Sequence, residues 1–261
     1  MSGSVAWVRS PAAAMGVACE LTYLRRSSID PKLALRQHGQ YVATLRAAHL
    51  EVIVLPALED HPDCAFIEDT AICLPELVIQ ARPGAATRRN EVASAVEAIG
   101  AGRDVHVLAS PGTLEGGDVL AVGKTLYVGR SPRTNAEGIR QLRQIVERHG
   151  YRVVPIPVTG ALHLKTAVTC LAPDLFIANR TWFDADPFGQ VTWIDVDPDE
   201  PFAGNTLTAG DVVIVPEAHE RAVESIGHAG IPVRTVYISE FAKAEGGLTC
   251  LSVIERRGGV L

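Results

Sequence analysis

Apolar positions along most of the chain fall into one recurring order. Two short apolar runs are joined by a tight turn, a stretch with helical spacing follows, and a further apolar run ends the unit. Cys64 to Cys73 and Leu77 to Gln80 form the first pair. A helix from about Arg89 to Ile99, with Val92, Val96 and Ile99 on one face, then leads to the strand Val105 to Leu108. In the second unit, Asp118 to Val122 and Thr125 to Val128 flank a Gly123-Lys124 turn. A helix near Asn135 to His149 buries Ile139, Leu142, Ile145 and Val146, Gly150 closes it, and Arg152 to Ile156 follows. The third unit has Leu162 to Leu171 and Leu175 to Ala178, but the polar stretch from Arg180 to Gln190 carries no helical period. The fourth runs from Asn205 through Val212 to Val215, a helix about Glu217 to Gly227, and Val233 to Val236. A fifth begins at Cys250 and lacks its second half. The other terminus supplies it: a strand Val5 to Val8, a helix Pro31 to Ala48 with Asp30 at the N-cap and Pro31 at N1, and a strand Val52 to Leu55. Five pseudo-symmetric ββαβ units, an α/β fold, therefore close head to tail through the N- and C-terminal segments.

Polar residues interrupt the first strand of each unit. Glu68, Glu115, His163, Asn205 and Cys250 occupy matching places at a spacing of about 45 residues, a period that signals a propeller or array. Rotational repetition sets equivalent strands around one axis, so these residues face a common cavity in a single domain spanning residues 1–261. A thiol, an imidazole and a carboxylate brought together there make the minimum set for covalent thiol catalysis, with Cys250 as nucleophile, His163 as acid and base, and one of the carboxylates of Glu115-Gly116-Gly117-Asp118, Glu115 foremost, holding the imidazole. Each residue taken singly has a plainer reading. A lone apolar-flanked cysteine is usually a small hydrophobe, a lone histidine on an apolar strand is usually a satisfied core residue, and Glu115-Gly116-Gly117-Asp118 also suits a turn. Gly117 to Thr125 resembles a phosphate-binding loop, but the residues between its glycines are strand formers that cannot wrap amides around phosphates. Glu68 and Asp69 adjoin among apolar neighbours, and buried carboxylates want cations or donors. A guanidinium fits them, because its planar fork matches carboxylates. Arg88 and Arg133, each at the start of a helix, suit a carboxylate at the other end of such a ligand, or simply solvent.

Composition narrows the partner. The 261 residues are 47% apolar and 21% charged with a net charge of −6, which disfavours nucleic acid and fits a small cationic substrate. Five cysteines without a Cys-x-x-Cys pair suggest neither a disulfide framework nor a zinc knuckle, so a reducing cytoplasm is expected. No run of eighteen apolar residues occurs, and no membrane span or signal peptide is expected.

Six ordered motifs spread over nearly the whole chain resemble those of the dimethylarginine dimethylaminohydrolases. They are Pro62-Asp63 with Phe66-Ile67-Glu68-Asp69, Arg82-Pro83-Gly84-Ala85 with Arg88-Arg89, Glu115-Gly116-Gly117-Asp118, Arg133-Thr134-Asn135, Leu162-His163-Leu164-Lys165, and Gly246-Gly247-Leu248-Thr249-Cys250. The resemblance implies a five-bladed α/β-propeller that hydrolyses Nω-methylated arginine to citrulline and a methylamine, with neither metal nor cofactor. It further implies Cys250, His163 and Glu115 as catalytic residues. Asp69 then sits at the guanidinium, Asp63, Glu68, Arg88 and Arg133 bind substrate, and Leu21 lies on an N-terminal lid. Asn205-Thr206 departs from the Asn-Cys frequent in the family. Rival readings are an arginine deiminase acting on unsubstituted arginine and a non-catalytic binder of cationic amino acids. Monomer and homodimer remain open.

Overall fold

The computed structural model describes residues 4–256. Five three-stranded sheets, each drawn from one sequence unit, make an α/β-propeller. The first is Ala71–Cys73, Leu77–Gln80 and Asp104–Val107; the second, Val119–Val122, Thr125–Arg130 and Arg152–Pro157; the third, Val168–Ala172, Leu175–Ala178 and Thr192–Asp195. Leu207–Ala209, Val212–Pro216 and Val233–Val236 form the fourth. The fifth joins the chain's two ends, with Val253–Glu255, Val5–Arg9 and Glu51–Leu55. In every sheet the first strand runs antiparallel to the middle one and the third runs parallel to it. A parallel neighbour requires a crossover, and the helices supply it.

Those helices bury the stripes that the apolar spacing predicts. Pro31–Ala47 packs Ala34, Tyr41, Val42 and Leu45 inward, and the Asp30 carboxylate caps it by accepting the Lys32 and Leu33 N–H groups. Val92–Ile99, Ala136–Val146 and Glu220–His228 serve the first, second and fourth sheets. Gly150 stands at φ 77°, the left-handed backbone expected of a helix terminator. The third crossover is irregular and holds only the 3-10 turn Asp186–Phe188. There the rings of Tyr127, Phe176, Phe183, Phe188 and Trp193 pack together and fill the space a helix would take. No helix among the described residues is long and apolar enough to cross a membrane.

Every first strand is shorter than the apolar spacing predicts. Ile67–Thr70 is a 3-10 turn ahead of Ala71, Gly116–Asp118 another ahead of Val119, and Thr249–Leu251 a third ahead of Val253. His163 precedes the one-turn helix Leu164–Ala167. Glu68 and Cys250 therefore lie in tight turns, Glu115 and His163 just ahead of them and Asn205 in irregular chain, all at the entrance to a strand and not within it. Side chains replace the ladder there: the Leu164 N–H donates to Asp118, the Thr249 N–H to Asn205, and the Thr70 hydroxyl to the Ile67 carbonyl.

Candidate active site

Cys250 occupies the middle of the Thr249–Leu251 turn, which is tied down from three sides. Asn205 accepts the Thr249 N–H at 3.1 Å and donates to the Thr249 hydroxyl at 3.1 Å and the Lys165 carbonyl at 2.9 Å. The Thr249 hydroxyl donates in turn to the Glu68 carboxylate at 2.9 Å. From the helix behind, the Tyr41 hydroxyl donates to the Leu248 carbonyl and shares a hydrogen bond with Ser252. Leading into the turn, Gly246 and Gly247 admit no side chain: a Cβ would meet the Phe66 ring at 2.2 Å and the Asn205 amide at 2.4 Å. The Gly247 N–H points at the Cys250 sulfur from 3.4 Å.

His163 is buried and shares a 2.6 Å hydrogen bond between Nε2 and Glu115 Oε2. Glu115 is wholly buried, its other oxygen accepting the Gly84 N–H at 2.9 Å with Arg133 Nη1 at 3.8 Å. Asp118 pins the far side of His163 by accepting the Leu164 N–H at 2.9 Å and the Ser131 hydroxyl at 2.6 Å. Gly117 lies flush against the ring, where a Cβ would stand 2.6 Å from His163 Nδ1 and 2.9 Å from Asp69 Oδ1.

Asp69, Asp63, Arg88, Arg133, His163 and Cys250 line one narrow cleft. The structure thus brings together six of the residues that the sequence singles out, with Glu115 directly behind His163. Asp69 accepts Arg88 Nη1 at 2.6 Å and the Gly117 N–H at 3.0 Å, while Asp63 accepts the Glu20 N–H. Arg88 is itself held by Glu91 and the Phe66 carbonyl. Arg133 reaches the Thr22 hydroxyl.

Besides Glu115, two expected residues do not line this cleft. Glu68 follows a different wall of the turn from its neighbour Asp69. Its carboxylate is bound by Lys165 and Thr249 and borders a second cavity on the other side of that pair. Adjacent residues in a 3-10 turn, as in a strand, point apart, so one carboxylate of the pair had to leave. Leu21 sits on the loop over the cleft but does not reach into it, whereas its neighbour Glu20 does. Phe66, Leu162, Ala244, Glu245 and Gly246 complete the lining. Of these, Glu245 carried a signal in the sequence, a charged residue directly before the two glycines of the nucleophile motif.

Electrostatics set a neutral thiol and a protonated imidazole in the same cleft. Burial, reinforced by the charges of Glu68 and Asp69, pushes the Cys250 thiol up to about 12, against the Gly247 N–H and Lys165. Burial also opposes charge on His163, but Asp69, the hydrogen bond that Glu115 accepts, and the Asp118 and Glu115 charges outweigh it and lift the imidazole to about 9. Asp69 is buried too, yet His163 and Arg88 hold it below the usual carboxylate range. Burial raises Asp118 to about 6 despite its hydrogen bonds. Asp69, Glu115 and His163 are the one set among the described residues with atoms close enough to share a metal ion, within 4.8 Å of one another. Their oxygens and Nε2 are already engaged with each other, Arg88 and backbone N–H groups, an arrangement that serves proton transfer.

Comparisons with known proteins agree with this geometry. Residues 22–185 match the family model described as N,N dimethylarginine dimethylhydrolase, eukaryotic. An N(G),N(G)-dimethylarginine dimethylaminohydrolase from Streptomyces coelicolor is 39% identical over 94% of this chain and 93% of its own, and one from Pseudomonas aeruginosa is 34% identical over 86% and 89%. A solved structure of the Pseudomonas aeruginosa enzyme, a Cys-to-Ser mutant complexed with citrulline, superposes with a TM-score of 0.92 at 31% identity, covering 97% of this chain and 100% of that one. The N-terminal domain of ArgZ, a cyanobacterial arginine dihydrolase, shares the fold at 19% identity, with a TM-score of 0.85 over 97% and 98% of the two chains.

Proposed function

Because the chain belongs to the dimethylarginine dimethylaminohydrolase family, we propose that this amidinohydrolase converts Nω-methylated arginine to citrulline and methylamine or dimethylamine through a covalent intermediate on Cys250. The observation that carries the reading is the joint presence of Cys250, a carboxylate-bound His163 and Asp69 around one buried cleft. A second wall of the cleft offers Arg133 and Asp63 to the charged amino-acid end of the substrate.

The resting thiol is neutral, so the substrate must help to make the nucleophile. A guanidinium held by Asp69 brings positive charge beside the sulfur and favours loss of the thiol proton to solvent, since His163 already carries its own, and Glu68, across the Thr249 hydroxyl, adds to the negative field that draws in a cation. Thiolate attack forms a C–S bond at the guanidinium carbon. His163 then gives its proton to the methylated nitrogen as the C–N bond breaks, leaving an S-alkylthiouronium. The now neutral imidazole takes a proton from water, the resulting hydroxide adds to the same carbon, and the C–S bond breaks with its electron pair on sulfur, the added hydroxyl giving its proton through solvent to that thiolate as the carbonyl of citrulline forms. Glu115 keeps the ring oriented and stabilises its charge throughout.

Citrulline and amine release from asymmetric dimethylarginine, monomethylarginine and arginine, measured in parallel, tests the reading. The expected result is citrulline with an equal amount of dimethylamine or methylamine, and arginine turned over far more slowly. Ammonia release from arginine at the higher efficiency would overturn it in favour of a deiminase. Absence of turnover, with tight binding of all three, would favour a binding protein.

A further inference from the structure

The carboxylate of Glu245 receives the backbone N–H groups of three consecutive residues. Thr22 approaches both oxygens at 3.0 Å, and Tyr23 and Leu24 approach one of them at 2.5 Å each. A row of N–H groups converging on one point is a concavity that binds anions. Here the anion is a side chain five residues ahead of Cys250. Glu245 itself stands at φ 61°, in the left-handed region that a residue with a Cβ avoids, and the Gly246 and Gly247 that follow are wedged against Phe66 and Asn205. Its backbone is therefore fixed to the nucleophile turn. The partner segment is built differently: residues 22–28 are exposed, form no helix or strand and contribute nothing to the buried core. The hydrogen bonds that hold them come from Glu245, from Arg133 to the Thr22 hydroxyl, from the Tyr23 hydroxyl to the Ala161 carbonyl, and from Arg26 to the Val17 and Cys19 carbonyls.

We propose that Glu245 is a latch, a positioning residue that keeps the segment at residues 20–28 closed over bound substrate. Closure satisfies the Glu245 charge with backbone donors and places Glu20 against the cleft. Opening returns the three N–H groups to water and leaves a free carboxylate at the mouth, where a cationic substrate enters. The kinetic consequence rests on the hydrolase reading above, whereas the latch itself does not.

Trypsin reads the latch without any substrate, since Arg25 and Arg26 are exposed on the segment. In Glu245→Gln, cleavage at these arginines should be at least tenfold faster than in the unaltered protein. The KM for dimethylarginine should rise about tenfold, with kcat falling by less than threefold. Glu245→Asn serves as the second variant, because asparagine accepts the left-handed backbone readily and so protects the fold while removing the charge. Cleavage rates within twofold of the unaltered protein in both variants would overturn the latch. So would a rise in KM without faster cleavage, which would make Glu245 a direct substrate ligand. If the unaltered protein fails to hydrolyse methylated arginine, the functional reading falls while the cleavage comparison still decides the latch.

Discussion

At neutral pH the two reacting side chains rest in the states least suited to attack: Cys250 as a thiol, pushed up to about 12, and His163 as a cation near 9. In the proposed mechanism the proton needed by the leaving amine is thus in place before substrate arrives, and the thiolate forms only beside the guanidinium. The account therefore expects kcat/KM to fall as pH rises through about 9, where His163 loses that proton. Because the folded imidazole is raised above its ordinary value, its charge also stabilises the fold. That contribution is complete below about pH 6.5 and is lost as pH climbs through the folded value of about 9. The difference in melting temperature between the unaltered protein and His163→Gln should shrink across that window. Glu115→Gln removes the charge bound to Nε2, so the alkaline limb should move to lower pH and kcat should drop by about a hundredfold. Gly117→Ala tests packing at the same scale. Its methyl group would displace either the His163 ring or Asp69, and a shift of about 1 Å at such a site costs on the order of a hundredfold in rate. Unchanged kinetics in Gly117→Ala would mean that the ring position does not matter.

The elements that carry these residues are short turns held by distant side chains. Tyr41, on the helix Pro31–Ala47, spans to the Cys250 turn with two buried hydrogen bonds. Tyr41→Phe removes the hydrogen bonds to the Ser252 hydroxyl and to the Leu248 carbonyl, which keeps only the Leu251 N–H, and should lower unfolding free energy by about 1–3 kcal/mol in urea titrations. This element scale also separates what the sequence reveals from what it hides. The helix itself was legible from Asp30, Pro31 and the spacing of Ala34, Tyr41, Val42 and Leu45, all local signals. The 3-10 turns at Ile67–Thr70 and Thr249–Leu251 were not, because their apolar spacing suits a strand and what holds them comes from other units: Asn205 and Glu68 for Thr249–Leu251, and Lys165, Thr249 and the Gly117 N–H for Ile67–Thr70. The divergence of Glu68 from Asp69 was hidden for the same reason. Lys165, which draws Glu68 away, belongs to a different sheet's entrance and no nearby spacing announces it.

For the whole molecule the repeat is what makes distant residues neighbours. Val5 pairs with Glu255 and Trp7 with Val253, so the two ends of the chain complete one sheet, and the residue order of five units becomes a ring. That closure was legible from the sequence because each unit repeats its strand and helix order, and with it the convergence of Cys250, His163 and Glu115. The segment over the cleft was not, since residues 20–28 have no period and are fixed by Glu245 from the far end of the chain. A circular permutant, with a short linker joining the chain ahead of Val5 to that after Glu255 and new ends at the Gly123-Lys124 turn, should fold and keep activity within about threefold, as exposed turns tolerate such cuts. Loss of folding would mean that the fifth sheet depends on where synthesis starts and not on pairing alone. Rapid acid quenching during turnover of dimethylarginine, followed by mass analysis of the intact protein and its peptides, addresses the chemistry of the ring's centre most directly. The account predicts an adduct on the Cys250 peptide that forms and decays with turnover and is missing from Cys250→Ser, which should make no citrulline. Citrulline production by Cys250→Ser, or turnover with the Cys250 peptide unmodified throughout, would contradict it.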